Sequence, residues 1–162
     1  MKPHENETHK GWLMSGAGNT FAIEITKQDL ALSNTQAKNI CQEFKVDGYL
    51  GLFLKSSGEY KWNFFNSDGS DAEFCGNAAR CAQSYLKLQK NSVHSKHQTP
   101  AGLVLSWSDE TKNWVLMPRP KILDVEKSVD FDGTSWRGFF CNTGVPHFVL
   151  EQPPQMRHDI LL

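Results

Sequence analysis

Residues 49–65, YLGLFLKSSGEYKWNFF, constrain the fold more than any other stretch of this chain. Tyr49–Lys55 is a short apolar run, suited to a strand covered on both faces. Ser56, Ser57 and Gly58 turn the chain. On the return, Tyr60, Trp62 and Phe64 alternate with polar residues, the two-residue period of a strand with one buried face. Together they predict a β-hairpin.

Other segments extend this frame. Phe21, Ile23 and Ile25 alternate and predict a further strand. Ala37, Ile40, Cys41 and Phe44 have helical spacing, with Ser33 or Asn34 available as the cap. The spacing predicts a central helix over Gly76–Lys90, with Ala79, Ala82 and Leu86 on one stripe and lysines near its end. Gly102–Trp107 and Asn113–Met117 read as a second hairpin, and strand character resumes over Phe139–Leu150. Pro118, Arg119 and Pro120 break the pattern and mark a candidate boundary. The class is α+β. The expected organisation is a flexible polar lead-in at 1–10, a domain over 11–120, and an incomplete second unit over 121–162. About 40 residues are too few for an independent core, so an unpaired sheet edge and association, such as a homodimer, are expected there.

Charge excludes some functions. Seventeen basic and 18 acidic residues give a net charge of −1, which favours neither nucleic acid nor an anionic membrane surface. No apolar run approaches the roughly 20 residues of a spanning helix. The polar N-terminus does not resemble a signal peptide, so a cytoplasmic setting is expected. The cysteines are Cys41, Cys75, Cys81 and Cys141, without a C-x-x-C pair, so neither disulfides nor a structural metal is expected.

The chemistry concentrates in DGSDAEFCGNAARC, residues 68–81. Asp68-Gly69 is a turn signal, and Cys75 falls at the start of the central helix. Unpaired N–H groups and the positive end of the helix dipole favour an anion there, and a thiolate is stabilised in such a place. Gly76 permits close approach, and Asn77 adds an amide that donates and accepts. A carboxylate cradle beside a reactive sulfur is one reading; a buried packing cysteine is the other. Cys41 and Cys81 read as packing. The Gly16-Ala17-Gly18-Asn19 segment lacks a third glycine and precedes a strand, so it is a turn, not a dinucleotide site. His147, after Pro146, sits at a strand start, where a lone histidine is more often a satisfied structural residue than a functional one.

The segment Asn66–Cys81, NSDGSDAEFCGNAARC, closely resembles the diaminopimelate epimerase signature N-A-D-G-S-x-x-x-x-C-G-N-G-x-R-C. Met14–Phe21 is similar to that family's M-x-G-x-G-N-D-F, and Asn142–Val149 to its N-x-G-N-P-H-x-V. The resemblance implies two similar domains, each a mixed, mostly antiparallel sheet wrapped around a central helix, with the site between them. It implies a cofactor-independent, two-base epimerase acting on diaminopimelate, an enzyme of lysine and cell-wall precursor synthesis. Cys75 then matches the thiolate that removes the α-proton. Gly76 and Asn77 match groups holding the α-carboxylate, Asn19 and Asn66 match substrate contacts, and His147 matches a histidine that tunes the cysteine.

This sequence departs from the pattern at Thr20, Ala78 and Val145, and its 44–48 segment is shorter. Val145 stands where many members carry an Asn that touches the distal part of the substrate. The second cysteine, expected in a C-G-T-G-like segment, is absent from these 162 residues. The chain is therefore expected to be a truncated or divided epimerase, inactive alone. The alternatives are a racemase of another amino acid, and a non-catalytic fragment that binds a carboxylate or a partner.

Overall fold

A computed structural model describes residues 2–5, 10–29, 32–131 and 133–150. The chain divides into two compact units between Pro118 and Arg119. The fold is α+β, as the sequence implied.

The first unit holds an eight-stranded sheet: β1 (Lys2–Glu5), β2 (Lys10–Gly16), β3 (Asn19–Thr26), β4 (Gly48–Leu54), β5 (Tyr60–Asn66), β6 (His94–Thr99), β7 (Gly102–Ser108) and β8 (Asn113–Leu116). Strand order in the sheet follows the sequence. Neighbours are antiparallel except β3–β4 and β5–β6, which are parallel. Parallel neighbours need crossovers, and here each crossover is a helix. Helix α1 (Asn34–Phe44) joins β3 to β4, and α2 (Gly76–Lys90) joins β5 to β6.

Side-chain parity decides which helix covers which face. Ala22, Tyr49 and Phe65 pack with Ala37, Ile40 and Cys41 of α1. Phe21, Ile23, Leu50, Leu52, Trp62 and Phe64 point the other way and pack with Ala79, Ala82 and Leu86 of α2. The apolar run of β4 is thus buried on both faces, as its composition predicts. Helix α2 touches β2 and β3 on one side and β6, β7 and β8 on the other, so the sheet curls around it. Burying a side chain such as Leu86, fully inaccessible here, stabilises the fold by about 2–3 kcal/mol.

Three differences from the sequence reading have physical causes. Residues 2–5, expected as a mobile lead-in, pair with 10–13 as β1, a strand with no apolar alternation to announce it. Strand β6 was hidden because its inward side chains are Ser95 and His97. Both belong to a buried polar network with Gln83 and Ser106. Ser95 Oγ donates to Gln83 Oε1 at 2.5 Å, and His97 Nε2 lies 2.9 Å from Ser106 Oγ. Strand β9 (Lys121–Phe131) is likewise longer and more polar than a sequence pattern reveals.

The second unit is a three-stranded antiparallel sheet in the order β11–β10–β9, with β10 at Thr134–Asn142 and β11 at Pro146–Leu150. Among its described residues, Cys141 is the one buried hydrophobic side chain. Ile122, Leu123, Val125, Val129, Phe131, Val149 and Leu150 are exposed.

Candidate active site

Cys75 is the N-cap of α2, with extended backbone at φ −142°, ψ 117°. It is half-buried and its thiol is free. The first intrahelical bond runs from Ala79 N–H to the Cys75 carbonyl at 2.9 Å. The N–H groups of Gly76, Asn77 and Ala78 therefore have no partner within the helix. Cys75 supplies no side-chain cap for them. Helix α1 is the contrast. Its N-cap Ser33 accepts from Gln36 N–H at 3.3 Å, and Gln36 Oε1 accepts from Ser33 N–H at 2.9 Å, a complete capping box. One helix start is closed by its own side chains; the other is open to an anion.

The N-terminus of α2 lies against the hairpin that joins β2 to β3. Ala17 and Gly18 form its two-residue turn, with φ 51° and 90°. A Cβ on Gly16 would lie 2.8 Å from Cys81 Sγ and 3.0 Å from the Asn77 carbonyl, so only glycine lets β2 end this close to α2. Asn77 Nδ2 donates to Asn19 Oδ1 at 2.7 Å, linking the helix to the first residue of β3. Arg80 donates to Asn77 Oδ1 from one turn further along. Asp47 accepts from Thr20 N–H at 2.7 Å and Thr20 Oγ1 at 3.0 Å. These bonds, the backbone one foremost, hold the Asp47 carboxyl below its usual range. A cavity of about 490 Å³ opens beside Gly76, lined by Arg80, Lys112, Asn113, Trp114 and Met117.

Asn66 ends β5 at the turn that leads to this helix. Its Nδ2 donates to Ser70 Oγ at 3.0 Å, and Asp68 Oδ1 accepts from Ser70 N–H at 2.8 Å. Gly69 sits at φ 88°, and a Cβ there would meet the Asn34 carbonyl at 2.3 Å. The Asp-Gly signal is therefore required by both turn geometry and the close passage of α1.

The other first-unit cysteines are packing residues, as the sequence suggested. Burial pushes the Cys41 thiol up to about 11, helped by the nearby Asp47 charge. Burial also pushes Cys81 to about 11, against the opposing pull of Arg80. Both stay protonated at neutral pH.

The structure thus brings Cys75, Gly76, Asn77 and Asn19 to one place. Asn66 lies at the opposite end of the 66–75 connection, and His147 lies in the second unit, exposed on β11 opposite Cys141. Arg80 and Asp47 escaped the sequence reading, and Thr20 entered it only as a departure from the family pattern. The three-residue spacing of Asn77 and Arg80 was a visible signal; nothing local ties Asp47 to either. Among the described residues no group of three or more His, Cys, Asp or Glu could hold a metal ion, and no helix is long and apolar enough to cross a membrane.

A sequence profile of the family described as diaminopimelate epimerase matches residues 11–123. The chain belongs to the diaminopimelate epimerase family. Diaminopimelate epimerases of Aquifex aeolicus and Nitratiruptor are each 33% identical, over 86% and 83% of the chain and 56% and 54% of their own lengths. That of Campylobacter lari is 31% identical over 82% of the chain and 53% of its length. The chain thus spans about half the length of these relatives. Among solved structures, a hydroxyproline epimerase from Agrobacterium vitis, with trans-4-hydroxy-L-proline bound, superposes with a TM-score of 0.63 at 11% identity, covering 86% of this chain and 51% of that one. A probable proline racemase from Agrobacterium radiobacter gives 0.62 at 11% identity, over the same shares. These two establish a shared fold. The family is one of isomerases.

Proposed function

We propose that this chain carries one half of a cofactor-independent diaminopimelate epimerase site, with Cys75 as one of two bases. The uncapped start of α2, beside a free half-buried thiol, carries this reading. An α-proton is a very weak acid, so its removal needs electrostatic stabilisation of the developing carbanion. The substrate α-carboxylate sits on the N–H groups of Gly76 and Asn77, where the helix dipole supports its charge. The Cys75 thiolate takes the α-proton: the S–H bond forms as Cα–H breaks, and the electron pair delocalises toward the carboxylate. A second acid, from chain outside these 162 residues, returns a proton to the opposite face. Asn19 and Asn66 contact substrate, and His147 tunes the cysteine. The setting is cytoplasmic, in the synthesis of lysine and of cell-wall precursor.

Incubating the chain with LL- or meso-diaminopimelate in D2O and following stereochemistry at Cα tests this. The expected result is no net epimerisation by the chain alone, and epimerisation when the remaining half is supplied in trans. Full turnover by the chain alone would sink the two-base assignment. Val145 favours a second reading, a racemase of a different amino acid, which a panel of amino acids in the same deuterium-exchange assay separates from the first.

A further inference from the structure

Three side chains of the first unit form a directed chain of hydrogen bonds. Arg80 donates to Asn77 Oδ1, and Asn77 Nδ2 donates to Asn19 Oδ1 at 2.7 Å. A guanidinium donates only, so the Asn77 atom that meets it is the oxygen and the Asn77 nitrogen is the donor to Asn19. With a donor-only group at one end, one orientation of each amide satisfies both bonds. Both amide oxygens are then occupied, and each amide has an N–H left over.

Arg80 and Asn19 are exposed and Asn77 is half-buried. Exposed polar contacts contribute little to stability, so orientation is the effect this arrangement can produce. We propose that Arg80 is a positioning residue, which locks the Asn77 and Asn19 amides so that both offer an N–H, and neither an oxygen, to an anionic ligand at the α2 start. The ligand-facing part rests on the reading of Asn19 and Asn77 as substrate contacts; the relay itself does not. A reversed amide would turn an oxygen lone pair toward a carboxylate and repel it, which makes the orientation consequential.

The test uses the full chain labelled with nitrogen-15, and reads the side-chain amide signals of Asn19 and Asn77. Arg80→Met removes the donors and keeps the aliphatic stem; Arg80→Lys restores a cationic donor. The expected result is that Arg80→Met moves the signals of both Asn77 and Asn19, and that Arg80→Lys returns them toward the original. If Arg80→Met perturbs Asn77 alone, or neither amide, the relay is overturned. Calorimetric titration with meso-diaminopimelate reads the ligand-facing part. Arg80→Met should weaken binding by about tenfold, the scale of one charge-assisted hydrogen bond, and Arg80→Lys should recover most of it. Equal affinity in all three forms overturns the positioning role. No binding by the unsubstituted chain overturns the proposed function, and the amide signals then decide the relay by themselves.

Discussion

At the scale of single residues, the four cysteines separate by environment. Cys41 and Cys81 lie almost inaccessible in the two cores of the first unit, and burial holds both thiols near 11. Cys141 is buried in the second unit, whereas Cys75 is partly open at the start of α2. A thiol reacts as its thiolate and only where reagent can reach it. Limited iodoacetamide treatment of the native chain near pH 8 should therefore alkylate Cys75 first, with Cys41 and Cys81 modified only on unfolding. Peptide mapping by mass spectrometry reads the order, and early modification at Cys81 would contradict the assignment. Substrate analogues bearing a carboxylate should slow the reaction at Cys75. Helix periodicity could assign Cys41 to packing from sequence, because it lies in a stripe with Ala37 and Ile40. It could not do so for Cys75, whose character comes from being the last residue before a helix that has no other cap.

At the scale of elements, β6 and α2 meet through a buried polar network instead of an apolar seam. His97 is fully inaccessible, and its Nδ1 has no partner. Its ring packs edge-on against Trp62, with centroids 5.8 Å apart. Burial disfavours the imidazolium and lowers the His97 pKa to about 4. The folded state therefore binds the proton less readily than the unfolded state, whose histidine titrates near 6.5. The contribution of neutral His97 to stability is complete above about 6.5 and is lost as pH falls toward about 4, by up to roughly 3 kcal/mol. Urea unfolding at pH 7.5 and 4.5 should show this fall, and His97→Gln should show a smaller one. An identical pH dependence in the two proteins would rule His97 out as the cause. The same network explains what could be read in advance. The hairpin of β4 and β5 and the bounds of α2 were legible because apolar periodicity and the Asp-Gly turn act locally. Strand β6 was illegible because Ser95 and His97 are buried by satisfying one another and Gln83, a condition that depends on residues 12 positions away. The link from Asn19 to Asn77, 58 residues apart, was out of reach of pattern for the same reason, although each residue had been singled out by its own motif.

At the scale of the whole molecule, the two units solve the burial problem unequally. In the first, the apolar faces of the curled sheet are covered by α2 within and α1 outside. In the second, three strands carry Val125 and Phe131 each 73% exposed, with Ile122 at 63% and Leu123 at 61%. A three-stranded sheet with such faces, and with no helix among its described residues, has lost little apolar surface to folding, and isolated small sheets are marginal in water. Contiguous exposed apolar surface and unpaired strand edges both favour association. The 162-residue chain is therefore expected to associate with itself at micromolar concentrations, through the second unit and not the first. Sedimentation velocity over a concentration series should show the average mass rising. Val125→Lys with Phe131→Lys places charges on that surface and should return the chain to monomer. Because both side chains are already exposed, the unfolding midpoint of the first unit, followed by fluorescence of its buried Trp62, should stay within about 0.5 kcal/mol of the original. A monomer at every concentration before substitution would show that this sheet is not adhesive. Association that survives the double substitution would move the interface to the first unit, where the exposed Leu103, Trp114 and Leu116 of β7 and β8 offer the next apolar surface.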